Sequence, residues 1–156
     1  MTDADRSAIT RIRCREIMTK DVKTVGSSTT LQEVGRLMLE GDMGAVPVVD
    51  AGRLIGIVTD RDIVVRAIAE GKNADTPVAE AMTSELFTVR AEDFVFEALR
   101  LMGDKQIRRI PVIEENGVLA GIISMADVAL ETEDELEIAE TLEEISSGAG
   151  FWKKLR

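Results

Sequence analysis

The 156-residue sequence predicts an α+β fold assembled from two copies of one strand–helix–strand–strand–helix unit. Three observations carry the prediction: an internal repeat, an aliphatic composition nearly free of aromatic residues, and helix-face and strand-length apolar patterns in the same order in each copy. Residues 16–64 and 80–129 align almost throughout. Glu16-Ile17-Met18-Thr19 returns as Glu80-Ala81-Met82-Thr83, and Thr24-Val25 as Thr88-Val89. Arg36-Leu37-Met38 returns as Arg100-Leu101-Met102, Pro47-Val48 as Pro111-Val112, and Gly56-Ile57 as Gly121-Ile122. The offset is 64 residues up to Asp50/Glu114 and 65 from Gly52/Gly117, so one residue is inserted in a turn. Two copies are too few for a solenoid. They suggest a pseudo-symmetric pair packed face to face, with equivalent sites at or near the shared axis. A unit of ~50 residues buries only about 60% of its unfolded surface, so the halves are expected to be obligate partners.

In the first copy, Val22–Val25 has the length and composition of a short strand. Ser27-Ser28-Thr29-Thr30 interrupts it, and Thr30 with Glu33 forms a capping box ahead of a helix. Leu31, Val34, Leu37 and Met38 share one face of that helix, and Gly41 and Gly44 end it. Val46–Val49 and Leu54–Val58 are strand-length apolar runs joined by the turn Asp50-Ala51-Gly52-Arg53. Asp60–Glu70 follows as a second helix, with Ile63, Val64, Ala67 and Ile68 on one side and Gly71 as its stop. The second copy repeats the plan. Leu86–Val89 is a strand, Val95, Ala98, Leu99 and Met102 form the helix face, and Ile110–Ile113 with Val118–Ser124 make a hairpin around Glu115-Asn116-Gly117. The repeats are assigned to residues 12–71 and 77–130, an acidic helix to 131–147 and a flexible tail to 148–156.

Apolar residues make up 45% of the chain and aromatic ones 3%, so the core is expected to be aliphatic. The formal charge of −10 is concentrated in Glu131–Ile145, which holds eight acids and no base. Outside it 21 acids face 19 bases, and neither part has the basic excess that binding to a nucleic-acid backbone requires. The segment's apolar stripe, Leu136, Ala139, Leu142 and Ile145, suits packing on a partner. Phe151, Trp152 and Leu155 with Lys153, Lys154 and Arg156 could touch a membrane or a partner, but so short a segment gives little binding energy, and a frayed tail is the expectation. Cys14 stands alone, which excludes an intrachain disulfide and a zinc knuckle. With no apolar run near 18 residues and no signal-peptide core, a cytoplasmic protein is expected. Histidine is absent, removing Ser-His-Asp and Cys-His machinery and most transition-metal sites. No catalytic or metal-ligating residue is assigned.

The chemistry-bearing motif is G-x-x-[ST]-x-x-D, present as Gly56…Thr59…Asp62 and as Gly121…Ser124…Asp127. Both copies fall where a strand gives way to a helix. A hydroxyl there can hold an anion beside free backbone N–H groups. An Asp one turn on can accept from two ribose hydroxyls, and the glycine permits close approach of backbone or ligand. Equally, Thr59 with Asp62 and Ser124 with Asp127 are capping boxes that satisfy a helix start.

The tandem Met-Thr…Val…Pro-Val…Gly-x-[Ile/Val]-[Thr/Ser]-x-x-Asp pattern, over roughly residues 12–130, resembles the CBS-domain pair, or Bateman module, of small stand-alone bacterial and archaeal proteins. The resemblance implies a regulatory, non-catalytic fold with two clefts, usually a disc-shaped homodimer, that often binds AMP, ADP, ATP, NAD or S-adenosylmethionine. By position, Asp62 and Asp127 would hold ribose hydroxyls, and Thr59 and Ser124 would contact phosphate. Thr24, Val25, Thr88 and Val89 would line the adenine pockets. The copies differ in one respect. Arg108 and Arg109 precede Pro111 and either pair with phosphate or with surface acids, whereas the first copy has Gly44-Ala45. The expectation is an adenosine-nucleotide sensor with unequal clefts and no required cofactor. The alternative is a scaffold acting through its acidic helix on a protein partner.

Overall fold

The structure, a computed structural model, describes residues 11–131; the expected acidic helix and tail lie outside them. The chain forms two compact units that cross the repeat boundaries. One contains Val22–Leu86 and Asn116–Leu119; the other contains residues 11–21, Phe87–Glu115 and residues 120–131.

In the first unit the expected strand at 22–25 shrinks to a single parallel bridge between Val25 and Val48. Val25 N donates to Pro47 O at 3.1 Å and Val49 N to Val25 O at 2.8 Å. The flanking Lys23 and Thr24 stay exposed and add nothing to the ladder. Thr30 then caps helix α2 (Leu31–Gly41) as the sequence anticipates: Glu33 N donates to Thr30 Oγ1 at 3.2 Å and Thr30 N to Glu33 Oε2 at 2.9 Å. Leu31, Val34 and Met38 are buried, and Leu37 half-buried. Strands β1 (Ala45–Asp50) and β2 (Arg53–Thr59) pair antiparallel. Ala51 and Gly52 both take positive φ in their turn, the primed geometry that matches strand twist.

The helix after β2 departs from expectation. Only Asp60–Asp62 is α-helical (α3); Ile63–Ile68 is a π-helix, with Ala69 N donating to Val64 O five residues back. A wider turn breaks the 3.6-residue register, so the expected face does not form. Ala67 is buried and Ile63 half-buried, but Val64 is 55% and Ile68 65% exposed. Val78–Glu80 forms a 3-10 turn, placing Val78 and Ala81 in the core with Val34, Val46, Val48 and Val58.

The second unit opens with helix α1 (Cys14–Ile17), which the sequence reading did not anticipate. It is tied to the second repeat by Cys14 N to Asp93 O (2.8 Å), Arg15 N to Ala91 O (2.9 Å) and Val95 N to Ile12 O (2.8 Å). Strand β3 (Val89–Arg90) is shorter than expected, starting three residues later and ending one later; it runs parallel to β4 (Arg109–Ile113), and β5 (Leu119–Ser124) completes the order β3-β4-β5. Helix α4 (Val95–Lys105) buries Val95, Ala98, Leu99 and Met102, the face its spacing predicts. Helix α5 (Met125–Glu131) closes the unit and buries Val128.

Each Met-Thr segment therefore packs in the unit of the other repeat. Thr19 N donates to Ile122 O at 2.9 Å and Ile122 N to Thr19 O at 3.0 Å; Thr83 and Ile57 exchange the same two bonds at 2.8 and 3.0 Å. The repeated glycine has its reason here. A Cβ on Gly121 would lie 2.6 Å from Thr19 O, and one on Gly56 would lie 2.6 Å from Met82 Sδ and 3.1 Å from Thr83 O. The close approach is to backbone and a methionine side chain. The tip of the second hairpin meets the first in the same manner, with Leu54 N donating to Gly117 O at 3.1 Å and Leu119 N to Gly52 O at 3.0 Å.

Candidate functional site

Each unit contains one copy of the candidate constellation. In the first, Val25 lies beside β1 on one side, and Thr59 ends β2 on the other, opposite Ala45. Both capping bonds form: Asp62 N donates to Thr59 Oγ1 and Thr59 N to Asp62 Oδ2, each at 3.0 Å. Asp62 has further neighbours that the motif does not contain. Thr83 Oγ1 donates to its two carboxylate oxygens, both at 3.4 Å, and Arg66 Nε lies 3.6 Å from Oδ1. The Asp62 side chain is 13% exposed. Thr24 is exposed and Val25 half-buried.

In the second unit, Val89 pairs with Val112 in β4, and Ser124 ends β5. Asp127 N donates to Ser124 Oγ at 3.1 Å and Ser124 N to Asp127 Oδ2 at 2.9 Å. Val89 is buried, Thr88 half-buried. Arg108 precedes β4 and Arg109 opens it, and Met125, the residue after Ser124, donates its N–H to Arg108 O at 2.9 Å. Both arginines are exposed, and among the described residues neither guanidinium forms an ion pair or hydrogen bond. Of the two readings open for them, pairing with surface acids is not seen among these residues.

The capping role of both boxes is thus realised, and it leaves carboxylate capacity unused. Each capping Asp accepts its backbone bond through one oxygen, and an ionised carboxylate has about four lone-pair sites. Capping and ligand contact are compatible. A shallow cavity of about 170 Å³ in the first unit, lined by residues including Leu31, Ile63, Ile68 and Lys72, contains none of the candidate residues. Cys14 offers no nucleophile: it is buried, and its thiol is pushed up to about 12 by desolvation first, then by the charges of Asp93 and Glu97.

Two α+β units, each carrying a hydroxyl–carboxylate box at a strand end, define a duplicated module. Both repeats match the CBS domain, over residues 14–68 and 78–133, and the chain belongs to that family. Among relatives, the CBS domain-containing protein YhcV of Bacillus subtilis is 40% identical over 116 residues, spanning 74% of this chain and 82% of that protein. The crystal structure of Hypoxic Response Protein I, with two coordinated zinc ions, superposes with a TM-score of 0.70 at 38% identity, covering 76% of this chain and 97% of that one. CBSX2 in complex with AMP superposes at 0.68 with 26% identity, covering 76% and 94%. Among the described residues, no helix is long and apolar enough to cross a membrane.

Proposed function

We propose that the chain is a non-catalytic regulatory module that binds an adenosine-containing nucleotide at its two repeats and signals by a shift between conformations, acting as a homodimer. The observation that carries this reading is the pair of exposed arginines, Arg108 and Arg109, whose guanidinium groups have no partner among the described residues and whose backbone is held to the Ser124–Asp127 box where Met125 N donates to Arg108 O. Two planar cations fit phosphate oxygens, while the Asp127 oxygen that takes no part in the cap fits ribose hydroxyls. A structural neighbour, CBSX2, is in complex with AMP. The ligand candidates remain AMP, ADP, ATP, NAD and S-adenosylmethionine. Bound nucleotide would favour whichever arrangement it binds better, and by no more than that difference in affinity.

The test is a thermal-shift series with these five compounds on pure protein. A ligand at 100 times its Kd adds about 2.7 kcal/mol, which for a chain of this size is a rise of roughly 5–11 °C. Asp62→Ala and Asp127→Ala should each reduce the rise. Each also loses a cap, about 1 kcal/mol without ligand, so the ligand-induced increment is what counts. A panel producing no increment overturns the proposal. Deleting residues 131–147 should leave the increment intact; if deletion instead abolishes partner capture while no nucleotide acts, the chain is a scaffold.

A further inference from the structure

We infer that the two repeats take adenosine compounds of different charge at the 5′ position: the second a phosphorylated one, the first an uncharged or cationic one. The inference rests on the adenosine-binding reading above and deepens it.

The repeats share a backbone arrangement at this point and differ in what it presents. By the repeat offset, Gly44 corresponds to Arg108 and Asp60 to Met125. Asp60 N donates to Gly44 O at 3.0 Å, as Met125 N does to Arg108 O at 2.9 Å. On this common frame the second repeat exposes the Arg108 side chain, which has no partner among the described residues, and folds Met125 into the core, 7% exposed. The first repeat reverses the arrangement. Position 44 has no side chain, and a Cβ built there would stand 3.2 Å from Asp60 Oδ2. The Asp60 carboxylate therefore covers the place where the Arg108 side chain begins in the other copy. It is held there by the Arg61 N–H, which donates to Oδ1 at 2.8 Å.

The surrounding charges strengthen the contrast. Asp62 is neutralised by Arg66 at 3.6 Å, and exposed Arg61 offsets Asp60, so the first site sums to zero with a carboxylate foremost. The second sums to one positive charge, from Arg108 and Arg109 against Asp127. A phosphate placed at the first site would face a carboxylate where the second offers a guanidinium fork, and like charges at close range repel. A neutral or ammonium-bearing 5′ group meets no such repulsion.

Calorimetric titration of the full chain with AMP, adenosine and 5′-amino-5′-deoxyadenosine tests this, since the three differ only at the 5′ carbon. AMP is expected to fill one site per chain. The AMP-saturated protein should then take up one equivalent of the amino compound or adenosine. Arg108→Gln combined with Arg109→Gln should weaken AMP at least tenfold and leave the amino compound unchanged. Asp60→Asn should weaken the amino compound about tenfold and leave the first AMP equivalent unchanged. The inference is overturned if AMP fills two equal sites, if the AMP-saturated chain binds neither other compound, or if Asp60→Asn has no effect. Should none of the three bind, the adenosine reading fails together with it.

Discussion

Replacing Gly121 by alanine directs a methyl group at the backbone of the crossing Met-Thr segment. The new Cβ would lie 2.6 Å from Thr19 O, 2.9 Å from Met18 Sδ and 3.0 Å from Met18 Cγ. The methionine side chain can rotate away. The carbonyl cannot do so freely, because it accepts from Ile122 N at 3.0 Å while Thr19 N donates to Ile122 O at 2.9 Å. To reach a carbon–oxygen contact of about 3.3 Å, the two strands must part by roughly 0.7 Å, stretching both bonds. Overpacking of this kind costs about 1–3 kcal/mol, and two weakened hydrogen bonds add about 1 kcal/mol. A total near 3 kcal/mol is large against a stability of about 5–15 kcal/mol, and corresponds to a fall in Tm of roughly 6–12 °C. Urea denaturation followed by circular dichroism measures it. The control is Gly35→Ala, on the exposed side of α2 with no atom within 4 Å of the new Cβ; it should stabilise by about 1 kcal/mol. If Gly121→Ala falls within 0.5 kcal/mol (on the order of ordinary surface substitutions) of the unaltered protein, the Met-Thr segment is not held on β5 and the argument is wrong.

Four further outcomes follow from the same geometry. Cys14 titrates at about 12 when folded, against 9.0 for a free thiol. Its contribution to stability is therefore complete below pH 9 and is lost as pH rises toward 12, a slope that Cys14→Ala should flatten in denaturation curves. A thiol reagent at pH 8 should likewise label Cys14 only as fast as the unit opens, so labelling that is immediate in native buffer would contradict its burial. Gln106 ends α4 in the left-handed region at φ 56; Gln106→Gly should add about 1 kcal/mol by removing that strain. Ser124→Ala leaves Asp127 N without its cap and should cost about 1 kcal/mol in chemical denaturation.

Periodicity was legible wherever the helix was regular. Val95, Ala98, Leu99 and Met102 are all buried as spaced, and the Thr30–Glu33 box forms with both bonds. Reading failed where the backbone left the standard period. The spacing Ile63, Val64, Ala67, Ile68 is that of an α-helical face, and nothing in those aliphatic residues announces a π turn. The short elements α1 and Val78–Glu80 were hidden for a different reason. Each is stabilised by residues more than 20 positions away, and a four-residue helix has no propensity signal of its own. The crossing itself left a trace, because Met-Thr and Gly-Ile recur together and each glycine makes room for a Met-Thr segment. At the candidate site, the hydroxyl–carboxylate boxes and the Arg108-Arg109 contrast were readable from the repeat. The neighbours Arg66 and Thr83 of Asp62 were not, since only folding brings them there.

The crossed Met-Thr segments bear on how such a molecule arises and how it can be cut. A chain with one repeat would have its own leading arm but no matching arm to receive, so it could complete its fold only by trading arms with a second chain. Its assembly would then depend on concentration. Joining two copies in one polypeptide makes the trade intramolecular, and the linker sets an effective local concentration that dilution cannot lower. Excising residues 77–131 as an independent fragment should accordingly leave an unfilled groove where Cys14 and Thr19 belong, and supplying residues 11–21 as a separate peptide should restore the unit.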